Sequence, residues 1–321
     1  MSPKELYEYT GHLLDLVDHP ERQGRVIHVG GTSGKGTVCY LVDAMLRAHD
    51  KQTMLSVSPH IYDIRERIQS NGQPLPEKLY IQIVNTVIER ARELTKFGTP
   101  LQYHGILCAI TMLGFTSKRH DYTIIEAGLG GPYDLTNHIS SSNKYCVLTQ
   151  IGIDNTHILG NTLAEIANGK TYVLQPDARL SMLEQEPEAQ QVIDAKAAEF
   201  KLVPEIVERS GAYELDDVRL ALHTVESIAK RDSWQFNQEV ARAAVESVYM
   251  PGRFEKRLLN QKLVILDGAH NPQSLTALVD RLQRSGLTSL TVVFSLGVHK
   301  NVRESLHALL PITKHLIVTD Y

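Results

Sequence analysis

The chain has 321 residues, an ordinary apolar share of 42% and a formal net charge of −4. That balance gives no electrostatic case for nucleic acid or a membrane surface, and no apolar run approaches a membrane span. The length predicts two domains, or one large domain with an appendage, and is enough to bury a real core. Cys39, Cys108 and Cys146 lie in apolar runs without metal-like spacing. They read as small buried hydrophobes in a reducing compartment, so a soluble, cytoplasmic protein is expected, and a monomer is the expected state.

Leu6, Tyr7, Leu13, Leu14 and Val17 fall at helical spacing and predict a leading helix over residues 2–18. Pro20 and Gly24 break the chain before the β-branched run Val26-Ile27-His28-Val29. That run enters Gly30-Gly31-Thr32-Ser33-Gly34-Lys35-Gly36-Thr37 and leaves through the amphipathic stretch Val38–Leu46. Strand, glycine turn and helix is the order a phosphate cradle needs. Glycines let successive amides face an anion, and the helix adds its positive end. Gly31, Thr32, Ser33, Gly34, Lys35, Gly36 and Thr37 would surround the phosphates of a nucleotide. Lys35 would reach the outer phosphates and Thr37 would offer a hydroxyl to Mg²⁺. Gly36, between Lys35 and Thr37, departs from the pattern G-x-x-x-x-G-K-[ST], and a purely structural turn is the alternative reading.

Gln52–Val57 reads as a second buried strand, ending at Ser58-Pro59-His60 on the edge where open parallel sheets bind ligands. Residues 61–76, with Asn71-Gly72 and two prolines, predict a long irregular loop. Glu77–Lys96 and Leu101–Lys118 read as helices separated by Gly98-Thr99-Pro100. Asp121–Ile125 is a strand that delivers Glu126 to its carboxyl end, just before a glycine turn. A buried acid there without a partner would be costly, which favours a metal-binding or hydrogen-bonded role. Tyr145–Gln150 is a further β run, followed by Ile151–Gly160, a helix over Leu163–Gly169, and Lys170. Glu186–Phe200 predicts a helix and Leu202–Val207 a strand. Asp216–Lys230 and Asn237–Tyr249 predict two more helices, with Trp234 and Phe236 packing the start of the second. After Met250, Leu263–Leu266 forms a β run ending in Asp267, and Pro272 opens a helix over Gln273–Arg284. Leu290–Phe294 and His315–Thr319 read as the last strands.

Five of these stretches together resemble the Mur-ligase superfamily, and within it the folylpolyglutamate synthase/dihydrofolate synthase family. They are Gly31–Thr37 (family GTNGKGS), Ser58-Pro59-His60 (SPH), Arg65–Gly72 (ERI-x-x-NG), Pro251–Glu255 (PGRFE) and Asp267–Pro272 (DGAHNP). The resemblance spans most of the chain. It implies an α/β fold: a P-loop domain with a mostly parallel sheet over residues 1–250, then a smaller, incomplete Rossmann-like domain over 251–321. Strand edges exposed in such a piece would need covering.

The activity implied is an ATP-dependent amide ligase that adds L-glutamate to folate or dihydropteroate through an acyl phosphate, assisted by one or two Mg²⁺ ions. Site roles carry over by position. Lys35, Lys170 (carbamylated in the family) and His270 would face the reacting groups. Asp217, Arg253 and Asp267 would contact nucleotide. Thr37, Ser58 and Glu126 would hold one Mg²⁺, and Lys170 with Asn155 or His157 a second. Tyr103, His104, Asp134, Thr136 and Asn137 would line the acceptor pocket. The departures are specific: Tyr103-His104 for Phe-Glu, Pro132 for Arg, Asn155 for His, and His299 and Asn301 for two acids flanking Lys300. They leave a rival expectation, a degenerate nucleotide-binding relative without ligase activity.

Overall fold

The computed structural model describes residues 1–96, 98–297 and 300–319. The expectation for His299 falls outside these. In order, the first elements are α1 (Pro3–Asp15), β1 (Arg25–Gly30), α2 (Lys35–Ala48), β2 (Thr53–Ser56), β3 (Gln69–Ser70), β4 (Gln73–Pro74), α3 (Glu77–Thr95) and α4 (Tyr103–Phe115). Next come β5 (Tyr122–Glu126), β6 (Asn143–Leu148), α5 (Thr156–Leu159), α6 (Leu163–Lys170), β7 (Arg179–Leu183), α7 (Pro187–Glu199), β8 (Pro204–Val207) and α8 (Tyr213–Arg231). The last are α9 (Gln238–Ser247), β9 (Glu255–Leu259), β10 (Lys262–Leu266), α10 (Pro272–Arg284), β11 (Leu290–Phe294), α11 (Val302–Leu309) and β12 (Thr313–Val318).

Eight strands form one sheet in the order β4-β3-β2-β5-β1-β6-β7-β8. Pairing is parallel from β2 to β8 and antiparallel between β2, β3 and β4. The chain leaves β1 for β2 on one side and later crosses to β6 on the other. That reversal opens a crevice at the carboxyl ends of the strands. Gly30, Ser56, Glu126 and Leu148, the last residues of β1, β2, β5 and β6, therefore meet at one edge.

Both faces of the sheet are covered, so its central strands read as continuous apolar runs rather than alternating ones. Val38, Leu41, Val42 and Met45 of α2 pack with Leu220, Val225 and Ile228 of α8 on one face. Leu13, Ile83, Val87 and Ile110, from α1, α3 and α4, close the other face over Met54 and Ile125. Helix starts are capped as their sequences suggest. Ser2 with Glu5 and Thr162 with Glu165 make capping boxes, and Asn271 caps α10 ahead of Pro272. Ile124 has no exposed surface and sits in β5, paired on both sides. Ile124→Ala is expected to cost about 2–5 kcal/mol, read as a lowered urea midpoint with unchanged slope.

Several stretches differ from expectation. Residues 61–76 are not irregular: a short helical turn precedes the β3–β4 hairpin, which extends the sheet beside β2. Asn71 and Gly72 take φ of 51° and 74°, the conformation a two-residue hairpin turn demands. β7 was not anticipated, because Ser181 and Arg179 interrupt its apolar character, yet it lies between β6 and β8. Beyond residue 250 the strands form two separate pairs, antiparallel β9–β10 and parallel β11–β12, rather than one open sheet. α10 and α11 pack on these strands through Leu275, Val279, Phe294 and Leu309. Cys39 and Cys146 are buried, whereas Cys108 is only half-buried. Among the described residues, no helix is long and apolar enough to cross a membrane.

Candidate active site

The turn between β1 and α2 is built around two glycines. Gly31 and Gly34 have φ of 135° and 86°, which L side chains rarely adopt. A Cβ at Gly31 would collide with Thr149 Oγ1, and one at Gly34 with the Asp217 carboxylate. The expectation that all amides of the turn face an anion is corrected in part. The N–H groups of Thr32 and Ser33 donate to the Gln150 carbonyl at 3.0 and 3.3 Å, and so hold the loop. Among the described residues, no protein group accepts from the N–H groups of Gly34, Lys35, Gly36 or Thr37, and α2 has no side-chain cap. Four free amides at the positive end of a fourteen-residue helix form an anion site. The Ser33 hydroxyl, buried in the same turn, also lacks a partner.

Charge is disposed to match. Among the described residues, Lys35 Nζ donates only to the Thr32 carbonyl, at 3.3 Å. The Arg253 guanidinium comes within 3.6 Å of where a Cβ on Gly36 would sit, and the Glu126 oxygens within 3.4 and 3.5 Å. Glu126 and Arg253 therefore converge over the turn at Gly36. Among the described residues, neither Lys35 nor Arg253 has an acidic partner. Glu126 is buried and accepts from the Ser58 N–H at 2.8 Å, which leaves further lone pairs free. Among the described residues, no three His, Cys, Asp or Glu side chains cluster as a metal cage. One carboxylate with the hydroxyls of Thr37 and Ser58 instead suits Mg²⁺, which keeps most of its waters and takes few protein ligands. The orphaned Ser33 hydroxyl and the half-used Glu126 carboxylate fit an ion of that kind with its phosphates.

The residues expected at a second ion are arranged differently. Asp154, not singled out in the sequence, is buried and accepts from Lys300 Nζ at 2.7 Å, Asn155 N–H at 2.8 Å and Asn271 Nδ2 at 3.1 Å. His270 Nε2 stands 3.9 Å from the same carboxylate. Lys300 Nζ also donates to Asn155 Oδ1 at 3.1 Å, so that oxygen serves an ammonium. His157 is exposed on α5. As arranged, Asn155 and His157 do not fit a second ion. Lys170 is buried at the end of α6 and donates to the Leu129 carbonyl at 2.6 Å. Burial, with Lys35 nearby, lowers its pKa to about 7. Asp154 ties the 151–155 loop to the turn before α10. Asp154→Ala is expected to raise amide hydrogen exchange across residues 268–273 at least tenfold while leaving β1–β6 protected.

Of the residues expected around the acceptor, Asp134 and Thr136 line the main cleft and with Asn137 also brace their own loop, and Thr136 Oγ1 lies 2.9 Å from His28 Nε2 on β1. Asp134 accepts from Gly130 N–H at 2.6 Å and from Thr136 N–H and Oγ1 at 3.0 and 2.7 Å. Asn137 Nδ2 donates to the Gly131 carbonyl at 2.9 Å. His104 is exposed on the wall of a cleft of about 1180 Å³ that runs from the glycine turn past Leu107, Met112 and Leu135. Tyr103 lies outside that wall and packs edge-on against His104. Asp267 accepts from the N–H groups of Phe254 and Ala269 at 2.7 and 2.8 Å, which fastens the hinge segment to the turn before α10. Asp217 rests against Gly34 in the same cleft.

No protein-family model matches the chain. It is 32% identical over 277 residues to a Schizosaccharomyces pombe protein named probable folylpolyglutamate synthase, a match covering 78% of this chain and 55% of that protein. It is 29% identical over 319 residues to the dihydrofolate synthase/folylpolyglutamate synthase of Bacillus subtilis, covering 88% and 73%. The chain thus spans about half the length of the first relative and about three quarters of the second. In fold it is similar to the folylpolyglutamate synthase of Mycobacterium tuberculosis, solved with ADP and AMPPCP. The TM-score is 0.86 at 24% identity, over 98% of this chain and 79% of that one. In sequence the chain is thus similar to folylpolyglutamate and dihydrofolate synthases, and it shares the fold of a solved folylpolyglutamate synthase.

Proposed function

We propose that the chain binds ATP in the Gly31–Thr37 turn and uses it to join L-glutamate to the carboxylate of folate or dihydropteroate. The observation that carries this reading is that, among the described residues, the four amides from Gly34 to Thr37 have no partner and face Lys35 and Arg253, neither of which has an acidic partner, with Glu126 beside them. The names of the relatives supply the acceptor and the amino acid. In the reaction, an acceptor carboxylate oxygen attacks the γ-phosphorus and the bond to ADP breaks, leaving an acyl phosphate. The glutamate amine then attacks the acyl carbon, phosphate leaves with the bonding pair, and the amine proton goes to solvent or a nearby base.

The turn amides and Lys35 would hold the phosphates in line and stabilise charge gathering on the transferred group. Thr37, Ser58 and Glu126 would hold Mg²⁺, which when bound neutralises charge between the outer phosphates. Arg253 would close on nucleotide from the hinge side, and His270 would face the reacting groups. Residues 1–250 would form the ATP-binding part and 251–321 a smaller closing part, in a cytoplasmic, monomeric enzyme. Lys170 is held partly as the neutral amine at neutral pH, the form that adds carbon dioxide, so a carbamate at Lys170 is part of this proposal. A degenerate nucleotide binder is the second reading, favoured by the Lys300 ammonium on Asn155 Oδ1. Phosphate release from Mg-ATP should require both a folate-type acceptor and glutamate. Tight nucleotide binding with no release under any combination would select the degenerate reading.

A further inference from the structure

The first turns of α8 carry three acids, Glu214, Asp216 and Asp217, at the wall of the nucleotide cleft. Two of them are satisfied. Glu214 pairs with Arg281 at 2.8 Å and Arg284 at 3.8 Å. Asp216 accepts from Ser210 N–H and Oγ at 2.6 and 2.7 Å and lies 4.0 Å from Arg219. Asp217, among the described residues, has neither a hydrogen bond nor an ion pair. Its carboxyl group is turned inward onto the α-carbon of Gly34, beside the four free amides. The turn packed against it brings Lys35, and across the cleft stand Arg253, Asp267 and Arg281. Arg281 is taken by Glu214, and Asp267 by two backbone N–H groups. An ionised carboxylate in this place would repel the polyphosphate that the amides attract.

We propose that nucleotide binds with Asp217 as the neutral acid, which donates its hydrogen to the nucleotide, one proton being taken from solution when Asp217 starts ionised. This rests on the nucleotide site proposed above. The environment supports it: burial, then Asp216 and Glu214, raise the Asp217 pKa to about 8. A neutral acid offers one donor and one acceptor, the hydrogen-bonding capacity of an asparagine.

The test is calorimetric titration of wild type and Asp217→Asn with AMPPCP from pH 6.5 to 9.5, repeated at pH 9 in two buffers of different ionisation heat. Wild-type affinity should fall about tenfold per pH unit above pH 8, with close to one proton taken up at pH 9. Asp217→Asn should lose that slope and that proton. The Lys170 change near pH 7 is common to both proteins, so only the difference between them reports Asp217. Wild type that binds without slope or uptake, or an asparagine variant with the wild-type slope, overturns the proposal while leaving the nucleotide site standing. No binding at any pH in wild type overturns both.

Discussion

Lys35→Ala is expected to weaken AMPPCP binding about a hundredfold or more, with little change in thermal unfolding. Lys35 Nζ is held only by the Thr32 carbonyl, and no acid among the described residues depends on it. Removing it therefore strands no buried carboxylate and should not disturb the fold. What disappears is a cation aimed at the outer phosphates, next to four amides with no partner of their own. Truncating one side of a buried charged contact costs about 2–5 kcal/mol, roughly 30-fold to several thousand-fold in affinity. Calorimetry with AMPPCP checks this directly. An affinity within threefold of wild type would mean that the phosphates bind elsewhere.

Glu126→Gln should lower the rate of acceptor-dependent phosphate release by a hundredfold or more, again without unfolding the protein. The carboxylate is buried at the end of β5 and, among the described residues, its one hydrogen bond is from the Ser58 N–H. A glutamine oxygen can accept that same bond, so the strand end and the 58–60 turn keep their geometry. Only the charge is lost. With it goes the anionic ligand that would place Mg²⁺ against the phosphates, and losses of about 10²–10³ in rate are typical when one charge-stabilising group is removed. The discriminating comparison is nucleotide affinity with and without Mg²⁺. In wild type the ion should strengthen binding, and in the variant that gain should vanish. A variant whose Mg²⁺ response is intact would remove Glu126 from the ion site.

The parts of the site that could be read from sequence are those encoded locally. Val26–Val29, the glycines and the following amphipathic run specify strand, turn and helix within about twenty residues, and Glu126 follows from its place at the end of an apolar strand. What could not be read depends on contacts between distant segments. Thr32 and Ser33 turn their amides away because Gln150, far along the chain, offers a carbonyl. Asp154 gains its meaning only from Asn271 and Lys300, 117 and 146 positions away. Lys300 also donates to the Asn155 oxygen, which the resemblance had placed at a second ion. Asp134, Thr136 and Asn137 were assigned to the acceptor by position; Asp134 and Thr136 line the cleft, but their bonds within the loop and from Thr136 to His28, 108 positions away, could not be read from sequence. The Asn71-Gly72 turn was a readable hairpin signal, obscured by the prolines around it.

The most direct test of ATP-driven ligation is oxygen transfer. An acceptor labelled with ¹⁸O in the carboxylate that becomes the amide should be turned over with Mg-ATP and L-glutamate, and the released phosphate analysed by mass. An acyl phosphate formed over the Gly34–Thr37 amides predicts one ¹⁸O in each phosphate released. Phosphate free of label, with ATP consumed at the same rate, would contradict the mechanism.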